Sequence, residues 1–145
     1  MATADAPVNR PARVTFQVEG SDDAIIVTAR GAARELAREM GFGVVDQTRI
    51  ATAVSEIVRN VVLYARSGEV TFARAVRPDG LNGLQITVVD SGPGIADLKA
   101  VLAGGHSTGR GFGCGVPGSK QMMDEFEITS RAGIGTSVRM CKWLS

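Results

Sequence analysis

The chain has 145 residues, of which 44% are hydrophobic and 21% charged, with a net charge of +1, and these are ordinary values for a globular domain. Because the charges nearly cancel, there is no reason to expect nucleic acid or an anionic membrane as a partner. No apolar run is long enough to span a bilayer. Cys114 and Cys141 lack the close spacing of a zinc site or a disulfide framework. We therefore expect a cytoplasmic protein with a disordered lead-in at residues 1–12 and a single domain at residues 13–145.

The first half of the chain is predicted to form a strand and two helices. Apolar residues alternate in the strand, at Val14, Phe16 and Val18. Residues 21–41 have the pattern of a helix that ends at Gly41. A second helix, capped by Asp46, is predicted to run to about Ala65. Its apolar residues share one face at helical spacing, namely Ile50, Val54, Ile57, Val61 and Tyr64.

The second half is predicted to contain two hairpins and two helices. The strands "GEVTFARAV" and "GLQITVVD" flank a turn at Pro78–Gly80, and the strands "EFEITSR" and "TSVRMCKWL" close the domain. Between the hairpins we expect a short helix after Asp97 and another from about Val116 to Met123. This order predicts an α+β fold, a two-layer α/β sandwich with helices on one face of a mixed sheet.

Glu56 and Asn60 form the first candidate site. They lie four residues apart on the second helix and are therefore neighbours on its surface, at the flank of the apolar stripe. An amide oxygen with several waters suits Mg²⁺, and the carboxylate could act as a general base. A solvated polar flank without a function is the alternative at this point.

The stretch "VVDSGPGIADL" forms the second candidate site, since its hydrophobic strand ends on a carboxylate, Asp90. A carboxylate at a strand end accepts hydrogen bonds and suits an exocyclic amine such as that of adenine. Gly92 and Gly94 would let the backbone come close to such a ligand. The alternative is a turn in which Asp90 binds its own backbone.

A glycine-rich loop forms the third candidate site. Nine of the 18 glycines lie between Gly92 and Gly118. Four of them alternate just before a predicted helix, at Gly109, Gly111, Gly113 and Gly115. Exposed backbone N–H groups and a helix dipole attract anions there, so the loop could close over a triphosphate as a lid. A flexible surface loop is the alternative.

The order of these motifs resembles that of the GHKL ATPase superfamily, whose domain has the Bergerat, or histidine kinase-like ATPase, fold. The sequence "GIGT" at residues 133–136 resembles a late motif of the same superfamily. The stretches "GFGVVDQTRIATAVSEIVRNVVLYA", "DSGPGI" and "GFGCGVPGSKQMMDEF" are similar to the RsbT-type switch serine/threonine kinases of the bacterial stressosome. The resemblance extends over nearly all of residues 13–145 and implies that they form one GHKL ATP-binding kinase domain.

The resemblance also implies a role for each matching residue. Asn60 matches the asparagine that binds Mg²⁺, and Glu56 matches the carboxylate that serves as base for the attacking hydroxyl. Asp90 matches the aspartate that reads adenine, and Thr136 matches a hydroxyl near the adenine. The glycines of the adenine pocket and of the phosphate lid match Gly92, Gly94, Gly111, Gly113 and Gly115.

The function implied by the resemblance is that of a protein serine/threonine kinase that uses ATP and Mg²⁺ to phosphorylate STAS-domain proteins of the stressosome. Phosphorylation would release the kinase to activate a downstream phosphatase or another output protein of the stress response. Two other functions stay open. One is an anti-sigma factor of the same fold that sequesters a sigma subunit, and the other is a stand-alone ATPase or degenerate nucleotide sensor.

Overall fold

The computed structural model describes residues 13–19, 23–65, 67–95 and 116–144. Its elements in chain order are β1 (Arg13–Glu19), α1 (Ala24–Met40), α2 (Val44–Asn60), a π-helical turn (Val61–Ala65), β2 (Ser67–Val76), β3 (Asn82–Asp90), α3 (Val116–Met122), β4 (Glu125–Arg131) and β5 (Gly135–Trp143). These elements confirm the predicted strands, both hairpins and three of the four predicted helices. The lead-in at residues 1–12 and the short helix after Asp97 lie outside the described residues.

The end of α1 is the one that the sequence predicts, and the start of α2 is not. Gly41 ends α1 as predicted, because it adopts the left-handed conformation at φ 101° that glycine tolerates best. The predicted cap of α2 is wrong. Its N-cap is Gly43, and Asp46 lies inside the first turn. There the positive end of the helix dipole stabilises the carboxylate of Asp46, which also pairs with Arg49 at 3.2 Å.

The five strands form one sheet in the order β1-β2-β3-β5-β4. The predicted α+β sandwich is confirmed, but its mixed sheet is wrong, since all four strand pairings in the described residues are antiparallel. β3 and β4 run in the same direction and would form a parallel pair if they were neighbours. The β4–β5 hairpin inserts β5 between them, so every strand has antiparallel neighbours.

One face of the sheet forms one side of the core. Val18, Phe72, Ile86 and Met140 lie on four of the strands and are buried together with the apolar face of α2. The opposite face is polar, with exposed pairs such as Thr15 to Thr71 at 3.1 Å between their hydroxyl oxygens. This one-sided burial is what the period-two alternation of the strands requires. Within the described ranges, no helix combines the length and the apolar character that crossing a membrane demands.

The strand register determines where the candidate site forms. Asp90 at the end of β3 lies opposite Thr136 near the start of β5, and Thr136 lies opposite Ser130 near the end of β4. Three polar side chains are thus neighbours on three adjacent strands. Asp90 is far from the other two in the sequence, so the pairing of β3 with β5 brings it to them.

Candidate functional site

A pocket opens where the end of α2 meets the ends of β3 and β4 and the start of β5. It is narrow, with a cavity volume of about 20 Å³, which is room for about one water molecule. Its wall is mostly apolar and includes Ile57, Val88 and Val138. The polar residues of the wall are Asn60, Asp90 and Thr136. An apolar cleft with a few convergent polar groups is the usual form of a small-molecule site.

Asp90 is held in place by two backbone hydrogen bonds. Its Oδ1 accepts the N–H of Gly92 at 2.9 Å and the N–H of Thr136 at 3.2 Å. The first bond is the local turn that the sequence allowed as an alternative to a ligand site. The second bond ties the carboxylate to the neighbouring strand at the pocket wall, so the turn orients Asp90 and does not occupy both of its oxygens.

The glycines after Asp90 allow the backbone of this loop to pack closely. A Cβ atom at Gly92 would lie 2.6 Å from the Cα of Ala65 in the π-helical turn. Gly94 has φ +78°, and a Cβ there would collide with the carbonyl of Arg131. The sequence prediction gave these glycines a role toward a ligand. The structure gives them a role toward the neighbouring protein backbone.

Asn60 and Glu56 lie on the last turns of α2, one helical turn apart. Asn60 lines the pocket and is only 8% exposed, whereas Glu56 is half-buried. Within the described part of the chain, every fully buried side-chain N or O atom has a hydrogen-bond partner, so the amide of Asn60, which has none there, faces the open space of the pocket. The solvated-flank alternative therefore does not fit Asn60. The π-helical turn that follows at once is an irregularity frequent at functional sites.

The donor set around Asn60 fits Mg²⁺ better than a tightly liganded metal. Mg²⁺ keeps several waters and takes one or two protein oxygens, which a single unpaired amide oxygen can supply. In the part of the chain that the structure describes, no three His, Cys, Asp or Glu side chains cluster to hold a metal ion. This chemistry favours a loosely held ion that a phosphate ligand would share.

Ser130 is a residue near the pocket that the sequence analysis missed. Its Oγ accepts the N–H of Ile95 at 2.6 Å and lies 2.9 Å from the hydroxyl oxygen of Thr136. A further bond joins the loop to the β4–β5 turn, because the N–H of Gly133 donates to the carbonyl of Pro93 at 2.8 Å. No local motif marks Ser130, and only its register opposite Thr136 reveals it.

The predicted phosphate-lid glycines all lie outside the described residues, namely Gly109, Gly111, Gly113 and Gly115. The helix predicted to follow them is present as α3. Its first residue, Val116, is buried and lines the pocket. Ser119 on the same helix donates a long hydrogen bond of 3.5 Å to the carbonyl of Ala53 on α2. α3 therefore begins next to the pocket.

Comparison with known proteins identifies similar sequences. Residues 21–142 match the family model described as a histidine kinase-like ATPase domain. The serine/threonine-protein kinase RsbT of Bacillus subtilis (strain 168) is 49% identical over 119 residues, which cover 82% of this chain and 89% of RsbT. An anti-sigma F factor of Caldanaerobacter subterraneus subsp. tengcongensis is 35% identical over 100 residues, 66% of this chain and 68% of that protein.

Among solved structures, the fold is similar to that of the RsbU and RsbW domains of a Mycobacterium tuberculosis protein. The TM-score is 0.60 at 20% sequence identity, and the match covers 90% of this chain. This chain spans only 32% of that longer protein. At this identity the similarity establishes the fold and nothing about activity.

Proposed function

This chain belongs to the histidine kinase-like ATPase domains and, within them, to the RsbT-type serine/threonine protein kinases, and from that premise we propose that it phosphorylates STAS-domain stressosome proteins with ATP and Mg²⁺. The observation that carries the proposal is the 49% identity to RsbT over 82% of the chain. Residues 13–145 form the single kinase domain in this proposal, and its location is the cytoplasm.

The adenine base of ATP is assigned to the pocket beside Asp90. The Asp90 carboxylate accepts a hydrogen bond from the exocyclic amine, while apolar residues such as Val88 and Val138 cover the faces of the base. Thr136 supplies a hydroxyl at the same wall. Support comes from the two backbone hydrogen bonds to Oδ1 of Asp90, which orient the carboxylate at the pocket wall. Gly92 and Gly94 shape the pocket by allowing the loop to pack.

Asn60 is the proposed protein ligand of Mg²⁺. When bound, the ion would neutralise charge on the phosphates. Support comes from the position of Asn60 in the pocket wall, where its amide oxygen faces open space and can serve as a metal ligand. The backbone N–H groups of the glycines at residues 109–115 are proposed to hold the phosphates. Phosphoryl transfer depends mainly on such positioning and charge stabilisation.

Glu56 is the proposed general base. It accepts the proton of a serine or threonine hydroxyl while that oxygen forms a bond to the γ-phosphorus and the bond to the bridging oxygen of ADP breaks. Support comes from its position one helical turn before Asn60, on the same side of α2. Phosphorylation of the STAS partner would then release the kinase, which activates a downstream phosphatase or another output protein.

Phosphotransfer to defined partners tests this proposal. The purified chain is mixed with γ-labelled ATP, Mg²⁺ and each STAS-domain protein encoded in the same genome, with Asp90→Asn as the control that lacks the adenine contact. At an ATP concentration near the wild-type Kd, we expect label on a serine or threonine of at least one STAS protein, and far less label with the control. ATP binding without label on any STAS protein would contradict the assigned substrate class.

Sequestration of a sigma subunit is the second candidate function. It is favoured by the 35% identity to an anti-sigma F factor over 66% of the chain. Size-exclusion chromatography of the chain with each sigma subunit of its own genome distinguishes the two functions. A stable complex with a sigma subunit favours this second candidate, if the chain transfers phosphate to STAS proteins only to release that subunit.

A further inference from the structure

Ser130 makes three polar contacts at the edge of the pocket, although it does not line it. Its Oγ lies 2.6 Å from the backbone nitrogen of Ile95, 2.9 Å from Oγ1 of Thr136 and 3.3 Å from the carbonyl oxygen of Gly135. The first contact joins β4 to the loop after Asp90, and the other two join β4 to β5. Ser130 therefore connects the parts that build the adenine side of the pocket.

The three contacts determine the direction of each hydrogen bond. The backbone N–H of Ile95 can only donate and the carbonyl of Gly135 can only accept, so the single hydroxyl hydrogen of Ser130 goes to Gly135. The hydrogen between Ser130 and Thr136 must then come from Thr136. This assignment alone makes all three contacts hydrogen bonds, and it uses both lone pairs and the hydrogen of Ser130.

The consequence for the pocket is a defined polarity. With its hydrogen given to Ser130, Thr136 keeps only acceptor capacity for a ligand, and the carboxylate oxygens of Asp90 are acceptors as well. Thr136 and Asp90 both line the pocket. A base that donates hydrogen bonds therefore meets two acceptors, and a base with a carbonyl at the same position meets repulsion from both.

We propose that Ser130 is a positioning residue that sets base specificity, because it anchors the loop through Ile95 and turns the hydroxyl hydrogen of Thr136 away from the ligand. The inference rests on the proposed nucleotide-binding function. It predicts that Ser130 governs the choice between a 6-amino purine and a 6-oxo purine. ATP and inosine triphosphate carry the same phosphates and differ in this group and at N1, which carries a hydrogen only in inosine triphosphate.

Removal of the Ser130 hydroxyl should have two separable effects. In Ser130→Ala the N–H of Ile95 loses its acceptor, which weakens both nucleotides alike. The hydrogen of Thr136 is also released and can donate to the 6-oxo group of inosine triphosphate. We therefore expect the preference for ATP over inosine triphosphate to fall about tenfold, an effect that loosening of the loop alone would not produce.

The test is titration calorimetry of ATP and inosine triphosphate with the full chain, its Ser130 variants and one control. Ser130→Thr keeps the hydroxyl and should retain the wild-type preference. Ser130→Cys has nearly the same shape but bonds weakly, and it should lose the preference as Ser130→Ala does, which covers the case that the alanine variant does not fold. Ser137→Ala removes a hydroxyl from the opposite face of β5 and should change nothing.

The outcomes separate this inference from the function on which it rests. A reduced preference in Ser130→Ala or Ser130→Cys, restored in Ser130→Thr, supports the inference. Binding of ATP by the wild-type chain with the same preference in every Ser130 variant overturns the inference and leaves the proposed function standing. Failure of the wild-type chain to bind either nucleotide overturns both.

Discussion

Asp90 joins the loop at residues 91–95 to β5 through a single carboxylate oxygen. Because Oδ1 accepts both backbone N–H groups, the bonds that shape the loop and the contact proposed for adenine use different atoms of one side chain. At the scale of the single residue, a substitution that changes only the second oxygen should therefore affect ATP binding without disturbing the loop.

The variant Asp90→Asn performs that test. The asparagine Oδ1 can still accept from Gly92 and Thr136, but the second oxygen becomes an NH₂ group that opposes the amine of adenine. We expect ATP affinity to fall about 100-fold, since bonds to charged groups are worth about 1.5–3 kcal/mol, with little change in melting temperature. Calorimetry and thermal melting measure the two quantities.

Asp79→Asn is the matched control for this variant. Asp79 lies in the exposed β2–β3 turn, and its Oδ1 accepts the N–H of Leu81 two residues on, as Asp90 does with Gly92. We expect ATP affinity to stay at the wild-type value in this control. Equal affinity in Asp90→Asn and Asp79→Asn would remove Asp90 from the site.

Cys141 gives a prediction about pH. Burial raises the pKa of its thiol from the ordinary 9.0 to about 11 in the folded chain. The unfolded chain therefore loses this proton first, and the contribution of Cys141 to stability is complete below about pH 9 and is lost as the pH rises toward 11.

Urea unfolding across this pH interval measures the effect. We expect the free energy of unfolding of the wild-type chain to fall by roughly 2 kcal/mol more than that of Cys141→Ala between the two pKa values. The small cavity in the alanine variant lowers stability equally at every pH. It therefore does not change how the free energy of unfolding depends on pH, which is the quantity compared. If the free energy of unfolding changes with pH equally in the two proteins, burial does not raise the pKa of the Cys141 thiol.

At the scale of elements, the loop after β3 is clamped between the π-helical turn and the β4–β5 hairpin. Gly94 and Gly133 have nearly the same backbone angle, φ +78° and +77°, but only Gly94 is packed against another backbone segment. A Cβ at Gly133 would meet open space, whereas one at Gly94 would meet the carbonyl of Arg131. Substitution of Gly133 therefore introduces backbone strain alone, whereas substitution of Gly94 introduces strain and a collision.

Alanine at each position tests the clamp. Gly133→Ala should lower the free energy of unfolding by about 1 kcal/mol through strain alone. Gly94→Ala adds the collision with Arg131, so we expect a total loss of about 2–4 kcal/mol and weaker ATP binding. Chemical unfolding and calorimetry measure the two effects. Equal stability losses in the two variants would show that the loop is not clamped at Gly94.

The elements themselves were largely predictable, because apolar periodicity and turn residues act locally. Gly41 ended its helix as predicted, whereas Asp46 was assigned as a cap because the sequence does not reveal that Gly43 already fills that position. The pairing of strands was not predictable from such patterns. The mixed sheet was wrong for this reason, since the insertion of β5 between β3 and β4 is a property of the whole sheet.

The same division applies to the candidate site. Asp90 and Asn60 stand in local motifs, and the structure brings both to one pocket together with Thr136. Ser130 stands in no motif, and its contacts depend on the β4–β5 register and on a loop 35 residues earlier in the chain. Sequence patterns identify residues that act through local geometry, and they miss residues that act through neighbouring strands.

At the scale of the whole molecule, two elements connect the pocket to the opposite end of the sheet. α2 carries Asp46 in its first turn and Asn60 as its last residue, and β5 carries Thr136 near its start and Lys142 near its end. At the far end the nearly buried ammonium of Lys142 lies 3.7 Å from Asp46 and 3.5 Å from Asp124. The ion pairs therefore link the first turn of α2 to β5 and to Asp124 at the end of the sheet away from the pocket.

The rate of phosphotransfer in a single turnover tests the central claim most directly. It is measured at saturating ATP, Mg²⁺ and STAS acceptor for the wild-type chain, for Glu56→Gln and for Glu69→Gln, an exposed glutamate on the polar face of the sheet. We expect Glu56→Gln to lower the rate at least about 100-fold with ATP affinity nearly unchanged, as loss of a general base requires, and Glu69→Gln to match the wild type. Transfer by Glu56→Gln at the wild-type rate would contradict the account.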